Sequence, residues 1–561
     1  MAGILVFLAV LCSCTTQIST RIVIEPGKPE IIAVPPDEVL EIEVTGIPLT
    51  TSYAVFQAHS QRVELNISGS ENWTYSESKS GYNAGVLTLL ESVDNETSIT
   101  YYLTTFDTPV NATKETEVMI MAKVYDATVP FVGGCNMEFS AENDPNVLIE
   151  QKDSFHKIHF AWANVPVKHA KPESCEVSTK KNLTYELYAR YLYANNMDQK
   201  YFFREVRKLL TTKHISHHAT KIKDYKWKDK TVESLASFPR RGVIYVAVVS
   251  YKNAKGVTTS AAYVPSVSYG CRFVEGESDS CIHPKKNSMA VLVILAAVYG
   301  FLICFFGHRF FKCSVFYFGF MAFGLISYIM IARFTALPDD GLIWLGFFLG
   351  VVGGCLWLLF WIMAGIPVLT VLLGGLVFGY LFSSLVFTFT PLDRLPVLLT
   401  PLNYGMSFAC GVLIIPVLLL YFTHKLSIMS SAVVGSFWTT MGVCIYLEAN
   451  LIYAFLHTLH KATIPEFIGV SVYMPLEKED IFLLILWLAM AVLGTAFQIY
   501  RERERPQFPP CPYTLYKQQN ELPVPINESQ ENGGYESFTE RSPLLPNRTP
   551  QPERQPIVDP I

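Results

Sequence analysis

The run MAVLVILAAVYGFLICFF, Met289–Phe306, opens the part of the chain that decides the fold. Further runs of the same character follow at Ser314–Ile331, Gly341–Met363, Ile366–Phe387, Gly405–Phe422, Met429–Leu447 and Ile481–Ile499. Each is close to the ~20 apolar residues a helix needs to cross the roughly 30 Å hydrocarbon layer. Water cannot solvate so much apolar surface. A bilayer can, provided each span satisfies its own backbone as a helix. The expectation is a seven-helix transmembrane bundle over residues 286–500, with a secreted-type region before it and a polar tail, 501–561, after it.

An odd number of crossings puts the chain ends on opposite sides. The link after the first run carries His308, Arg309 and Lys312, that between the fifth and sixth carries Lys425, and the exit of the last carries Arg501, Arg503 and Arg505. The alternate links hold Asp339 and Asp340, or Glu477, Glu479 and Asp480. Cations collect on the cytosolic side of spans, so the N-terminus is expected outside and the C-terminus in the cytosol. Lys285 and Lys286 run against the rule. Ile4–Leu11, followed by Cys12, Ser13 and Cys14, reads as a secretory signal peptide within residues 1–20, which would already have fixed the orientation.

The 561 residues are 50% hydrophobic and 17% charged, with net charge −5. That balance argues against nucleic acid as a partner and makes membrane lipid the obligatory one. Of the 12 cysteines, Cys135, Cys175, Cys271 and Cys281 lie on the expected oxidising side. Four cysteines allow three pairings. Cys135–Cys175 with Cys271–Cys281 closes the shorter loops and is favoured, the others remaining open.

The outer region is expected to be all-β. Val39–Val44, Tyr53–Ala58, Arg62–Ile67, Val86–Leu90, Ile99–Thr105 and Glu117–Tyr125 alternate or run β-branched and aromatic, punctuated by Gly, Asn, Ser and Pro. They suggest one β-sandwich over 21–140. A second unit, 141–285, resembles a fibronectin type III-like sandwich, with Trp162 and Tyr245 as core aromatics and a hairpin turning at Asn253–Gly256. Asp198–Leu210 reads as an inserted helix with Phe202, Val206, Leu209 and Leu210 on one face. Five N-x-S/T glycosylation acceptors, Asn66, Asn72, Asn95, Asn111 and Asn182, fall in this region.

Groups that carry chemistry are sparse. His214 and His218 share a helical face, but their Lys-rich surroundings favour a solvated surface over a metal site. Lys221, Lys223, Lys226, Lys228 and Lys230 fit a charged edge strand. Ionisable residues in the spans sit at their ends, as at Arg333 and Glu448, and there is no acid pair, HExxH or arginine row of the kind that marks intramembrane function. The expectation is no enzyme, no cofactor and no metal. Gly346, Gly350 and Gly354, then Gly374, Gly375 and Gly379, form small-residue stripes that suit close helix packing. The alternative reading is a transporter or channel with its path along these helices.

The tail is Pro-rich and disordered by composition. Glu540-Arg-Ser-Pro-Leu544-Leu545 fits the acidic dileucine pattern and Tyr535-Glu-Ser-Phe538 the tyrosine-plus-bulky pattern, both read by clathrin adaptors. Each offers an extended strand with apolar side chains for a pocket.

Several stretches resemble the transmembrane 7 superfamily member 3 family: Gly133-Gly-Cys-Asn-Met-Glu-Phe139 with Asp144-Pro-Asn146, Ile303-Cys-Phe-Phe-Gly-His-Arg-Phe310, Arg501-Glu-Arg-Glu-Arg-Pro506 with Phe508-Pro-Pro510 and Pro512-Tyr513, and the terminal Glu-Arg-x-Pro-Leu-Leu. The resemblance runs from the outer region to the tail and departs at Leu522–Phe538. It implies a glycosylated seven-pass surface protein that restrains cytokine-induced death and endoplasmic-reticulum stress and supports insulin secretion. It carries over no cofactor and no catalytic residue. The receptor-like reading adds an extracellular protein or glycan as partner, and cycling between the cell surface and the endosomal and lysosomal system.

Overall fold

The computed structural model describes residues 18–36, 38–71, 73, 78–90, 98–106, 115–136, 143–152, 154–166, 174–175, 182–194, 196–226, 229, 232–271, 288–390, 392, 395–504, 508–509 and 512–521. The first β unit holds β1 Ile18–Ile24, β2 Glu30–Val34, β3 Val39–Thr45, β4 Thr51–His59, β5 Glu64–Ser68, β6 Ser78–Gly81, β7 Asn83–Leu89, β8 Ser98–Phe106 and β9 Thr116–Asp126. They form two sheets, ordered β1-β3-β8-β5-β6 and β2-β9-β4-β7. In β3 Leu40, Ile42 and Val44 are buried while Glu41 and Glu43 are partly exposed, the two-residue period of a half-buried strand. The inward side chains, among them Ile42, Phe56, Ile67, Tyr101 and Ile120, make the core between the sheets.

β4 and β9 are buried on both faces, and this joins the units. Successive side chains on a strand point opposite ways. β4 therefore gives Phe56 and Ala58 to its own core, and Tyr53 and Val55 to the next. The Tyr125 hydroxyl donates to the Ala262 carbonyl at 3.2 Å, and Lys79 pairs with buried Asp144 at 2.6 Å. A Cβ on Gly85 would lie 2.4 Å from Val264, so only glycine allows this approach.

The second unit comprises β10 Phe131–Cys135, β11 Val147–Gln151, β12 Phe155–Phe160, β13 Trp162–Asn164, β14 Leu183–Tyr191, β15 Thr220–Lys226, β16 Glu233–Ala236, β17 Val243–Lys252, β18 Thr258–Ala262 and β19 Ser266–Ser268. Its larger sheet runs β15-β14-β17-β18, with β19 also on β17, and a smaller one runs β11-β12-β16. Trp162 and Tyr245 are buried, with Phe160, Tyr185 and Tyr263 alongside. β15, which carries Lys221, Lys223 and Lys226, is an edge strand, as its charge predicted, while Lys228 and Lys230 lie outside the described residues. Helices α1 Gln199–Arg207 and α2 Thr212–His218 are inserted between β14 and β15. The Asp198 carboxylate caps α1 by accepting from the amides of Lys200 and Tyr201.

Each of the seven apolar runs is helical: α3 Ser288–Phe306, α4 Phe311–Phe334, α5 Asp339–Ala364, α6 Pro367–Phe389, α7 Pro401–Leu419, α8 Thr423–Leu447 and, after the short amphipathic α9 Leu451–Thr463, α10 Lys478–Arg501. Pro512–Glu521, within the tail expected to be disordered, forms a final helix, α11. Among the described residues, five stretches are long and apolar enough to cross a membrane: Phe311–Phe334, Asp339–Ala364, Pro367–Phe389, Pro401–Leu447 and Lys478–Arg501. Val293–Phe306 is a shorter apolar helix. By length and composition the count is thus five, against the seven expected. The difference lies in that shorter helix and in the 47 residues of Pro401–Leu447, which hold two of the expected runs. Phe422 leaves helical geometry, with φ −107° and ψ 59°. Pro416 and Leu426 both come within 3.4 Å of where a Gly375 Cβ would lie. Ten residues of continuous helix span about 15 Å, so the chain bends between them.

The glycine stripes pack helices together. In α5, Gly346 meets Tyr328, Gly350 and Gly354 meet Phe320 and Phe316, and Gly353 meets Phe323, all on α4. In α6, Gly379 lies against the Val412 carbonyl of α7, where a Cβ would come within 2.0 Å. Gly300 and Gly435 bring α3 and α8 together in the same way.

Candidate functional site

The second β unit stands on the connection between α9 and α10. β16 and residue 471 form a parallel bridge, Leu235 opposite Ser471. The Ala236 amide donates to the Ser471 carbonyl at 3.1 Å, and the Ser471 amide to the Ser234 carbonyl at 2.9 Å. Phe155 and Ala236 pack on Phe467, Val470 and Val472. The Tyr473 hydroxyl donates to the Ile222 carbonyl at 2.8 Å, tying β15 to the same segment.

Two consecutive arginines before β17 add charge to this contact. Arg241 donates from Nη2 to Glu477 Oε1 at 2.8 Å, with both side chains largely out of water. Burial lowers the Arg241 pKa from its ordinary value, against the pull of the Glu477 and Asp480 charges. Arg240 reaches Glu448 at 3.4 Å, and both residues hold left-handed backbone, φ +62° and +51°. Glu448 is the C-cap of α8, so the pair ties the turn before β17 to the end of a membrane helix.

Asp480, fully buried, organises the helix ends beneath. It accepts from the amides of Asn450 at 2.7 Å and Leu451 at 3.0 Å at the start of α9, and from the Glu477 amide at 3.1 Å at the start of α10. A carboxylate suits two helix N-termini, whose first amides have no partner within the helix. His457 on α9 sits between Phe238, at 5.1 Å, and Phe467, at 5.7 Å. Burial above all, helped by the neighbouring His460, pushes its pKa down to about 3. The base of the ectodomain and the tops of α8, α9 and α10 thus form one packed, hydrogen-bonded joint.

At the opposite end of the helices lies a second polar cluster. The His308 amide donates to Gln498 Oε1 at 3.0 Å, and Gln498 Nε2 donates to the Cys304 carbonyl at 2.7 Å. Phe508, beyond α10, packs on His308 and Phe311. The cations Arg309, Lys312, Lys425 and Arg501 belong to this end.

The Cys135–Cys175 disulfide is formed, with Cα atoms 5.7 Å apart. Cys271 is also disulfide-bonded; Cys281 lies outside the described residues. Asn66 on β5 is partly exposed, and Asn182, just before β14, is exposed. Asn72, Asn95 and Asn111 lie outside the described residues, as do the tail residues Tyr535, Phe538, Glu540, Leu544 and Leu545. His214 and His218 face each other on α2 with ring centres 6.2 Å apart. No group of three metal-capable side chains occurs among the described residues.

Arg241, Asp480 and His457 are the joint residues that sequence reasoning missed. Asp480 and Glu477 were legible only as outer-loop acids. The signal that points further is the adjacent Arg240 and Arg241 between Pro239 and a strand, beside acids that open a span.

Family models match three stretches of the chain: "TM7SF3-like, N-terminal immunoglobulin-like domain" over residues 20–125, "TM7SF3-like, second immunoglobulin-like domain" over 130–274, and "TM7S3/TM198-like domain" over 293–499. The first two fall on the β units and the third on the helices. Immunoglobulin-like and fibronectin type III sandwiches share an architecture, and the second unit carries the immunoglobulin-like description. Transmembrane 7 superfamily member 3 of Rattus norvegicus is 34% identical over 483 residues, 85% of this chain and 83% of its own. The Mus musculus protein of that name is also 34% identical over 483 residues, with the same shares. The Homo sapiens one is 31% identical over 528 residues, 91% of this chain and 90% of its own. With identity of this order along nearly the whole length of both partners, the chain belongs to the transmembrane 7 superfamily member 3 family.

Proposed function

We propose that this chain is a non-enzymatic, receptor-like membrane glycoprotein whose immunoglobulin-like units meet an extracellular protein or glycan and pass the event to the helices. The observation that carries this reading is the joint of β16 and Arg241 with the segment leading into α10. A shift of the second β unit would pull directly on Ser471 and Glu477. Seven crossings, N-terminus outside and C-terminus in the cytosol, accord with the bend at Phe422 and with the gathering of Arg309, Lys312, Lys425 and Arg501 at the end away from the β units. In this arrangement the dileucine and tyrosine signals of the tail meet clathrin adaptors, and the protein cycles between the surface and the endosomal and lysosomal system. The family resemblance supports a pro-survival role: restraint of cytokine-induced death and of endoplasmic-reticulum stress, and support of insulin secretion.

The test is a rescue. Secretory cells lacking the protein are exposed to inflammatory cytokines, and death is scored. Wild type is expected to protect, Arg241→Glu or Glu477→Arg alone to fail at normal surface abundance, and the double exchange to recover protection. Full protection by both single variants would overturn the relay, and no protection by wild type would overturn the survival role.

A further inference from the structure

A cavity of about 530 Å³ opens beside the joint, between α1, the neighbouring ends of β14 and β15, and residues 473–477. Its walls carry four cations, Arg190, Arg204, Lys208 and Arg241, and two carboxylates, Glu205 and Glu477. The volume is in the range that takes a small organic molecule. The charge balance favours an anion.

Three of the cations share one carboxylate. Buried Glu205 accepts from Arg190 Nε at 2.8 Å, Arg204 Nε at 3.2 Å and Lys208 Nζ at 2.7 Å. A single negative charge cannot neutralise three positive ones, so positive potential remains at the mouth, where the Arg204 side chain is 64% exposed. Arg241 forms the inner wall, its side chain 3% exposed. Its Nη2 is bonded to Glu477, while Nε and Nη1 have no hydrogen-bond partner among the described residues. Both of those atoms are sealed from solvent, so Arg241 lends the inner wall its positive charge, and the exposed Arg204 guanidinium is the one placed to grip an oxyanion. Tyr193 and Tyr201 stack with ring centres 5.9 Å apart and supply a flat apolar wall.

We propose that this cavity binds a small organic anion, a carboxylate or phosphate carried on a flat ring, with the charge toward the arginines and the ring against Tyr193 and Tyr201. The site goes beyond the relay and stands without it. An occupant would touch α1 of the β unit and residues 473–477 at once, and so brace the joint.

The test uses the full-length protein in nanodiscs of neutral phosphatidylcholine. The probes are adenosine 5′-monophosphate and benzoate, with adenosine as the uncharged control. Both anions are expected to bind saturably and raise the unfolding temperature, and adenosine is not. Arg204→Glu, at an exposed position, is expected to weaken binding about tenfold. If that variant fails to fold, Arg204→Gln with Lys208→Gln serves instead. Repeating the titration with phosphatidic acid in the nanodiscs separates two sources of the anion: loss of soluble-probe binding gives the site to a lipid headgroup phosphate and overturns the flat-ring occupant, and unchanged binding assigns it to a soluble ligand. No saturable binding of either anion, equal binding of adenosine, or wild-type affinity in the charge variants would overturn the proposal. None of these outcomes bears on the cellular rescue, which reads the Arg241–Glu477 pair.

Discussion

Two buried histidines set how the β units respond to acid. His156 lies between the Tyr245 hydroxyl, 3.2 Å from Nδ1, and Ser268 Oγ, 3.1 Å from Nε2. His59 meets Asn83 at 2.9 Å. Burial lowers both pKa values from 6.5 to about 4. The native state thus holds them neutral while the unfolded chain takes up protons below about pH 6.5. The stability they contribute is complete above that value and is lost as the pH falls toward 4. At pH 5 each is expected to have given up about 2 kcal/mol. Thermal unfolding between pH 7 and pH 5 checks this: His156→Gln should flatten the dependence, and an unchanged slope would remove His156 from the account. The Arg241–Glu477 pair is tested at the same scale. Glu477→Ala leaves a buried cation without its partner and should cost about 3 kcal/mol, whereas Arg241→Met with Glu477→Met should cost less. Core aromatics such as Trp162 and Tyr245 were legible in the sequence because an aromatic inside an alternating strand has few places to go. Arg241 and Asp480 were not, since a charge in a loop reads as solvated until its tertiary neighbours are known.

Strands that alternate or run β-branched and aromatic, β3, β4, β8 and β9 among them, are legible to within a residue or two. Short ones such as β13 and β19 are not, because three residues carry too little pattern and pairing alone makes them strands. The connection after α9 looks irregular in sequence, with Pro465, Gly469 and Pro475, and it becomes a docking edge only when β16 arrives. The glycine stripes announced close helix contact without naming the partner. Gly379 and Gly405 separate the two meanings of a membrane glycine. A Cβ at Gly379 would meet the Val412 carbonyl at 2.0 Å, while nothing lies within 4 Å of one at Gly405. Gly379→Ala should therefore destabilise the α6–α7 pair by about 1–3 kcal/mol, read as a lower unfolding temperature in detergent, and Gly405→Ala should leave it unchanged.

In the proposed arrangement an outer β body stands on a membrane bundle whose tail lies on the far side. Removal of N-glycans should shift the mobility of the wild type, and replacing Asn66, Asn72, Asn95, Asn111 and Asn182 by Gln should abolish the shift, although the tail also holds two acceptor triplets, Asn527-Glu-Ser529 and Asn547-Arg-Thr549. Leu544→Ala with Leu545→Ala should raise surface abundance, scored by surface labelling. The three-part order was legible in composition alone, because greasy, alternating and Pro-rich stretches differ grossly. How the β body sits on the bundle was not, since one strand edge, two ion pairs and an aromatic stack decide it.

That seating is the central claim, and a cross-link tests it most directly. Leu235→Cys with Ser471→Cys, in a chain with a protease site inserted between residues 282 and 287, beyond Cys281 so that no native disulfide bridges the cut, is expressed in cells and cleaved from outside. The account predicts that the two fragments migrate together until a reductant is added and that either single variant falls apart at once. Fragments of the double variant that separate without reductant would contradict it.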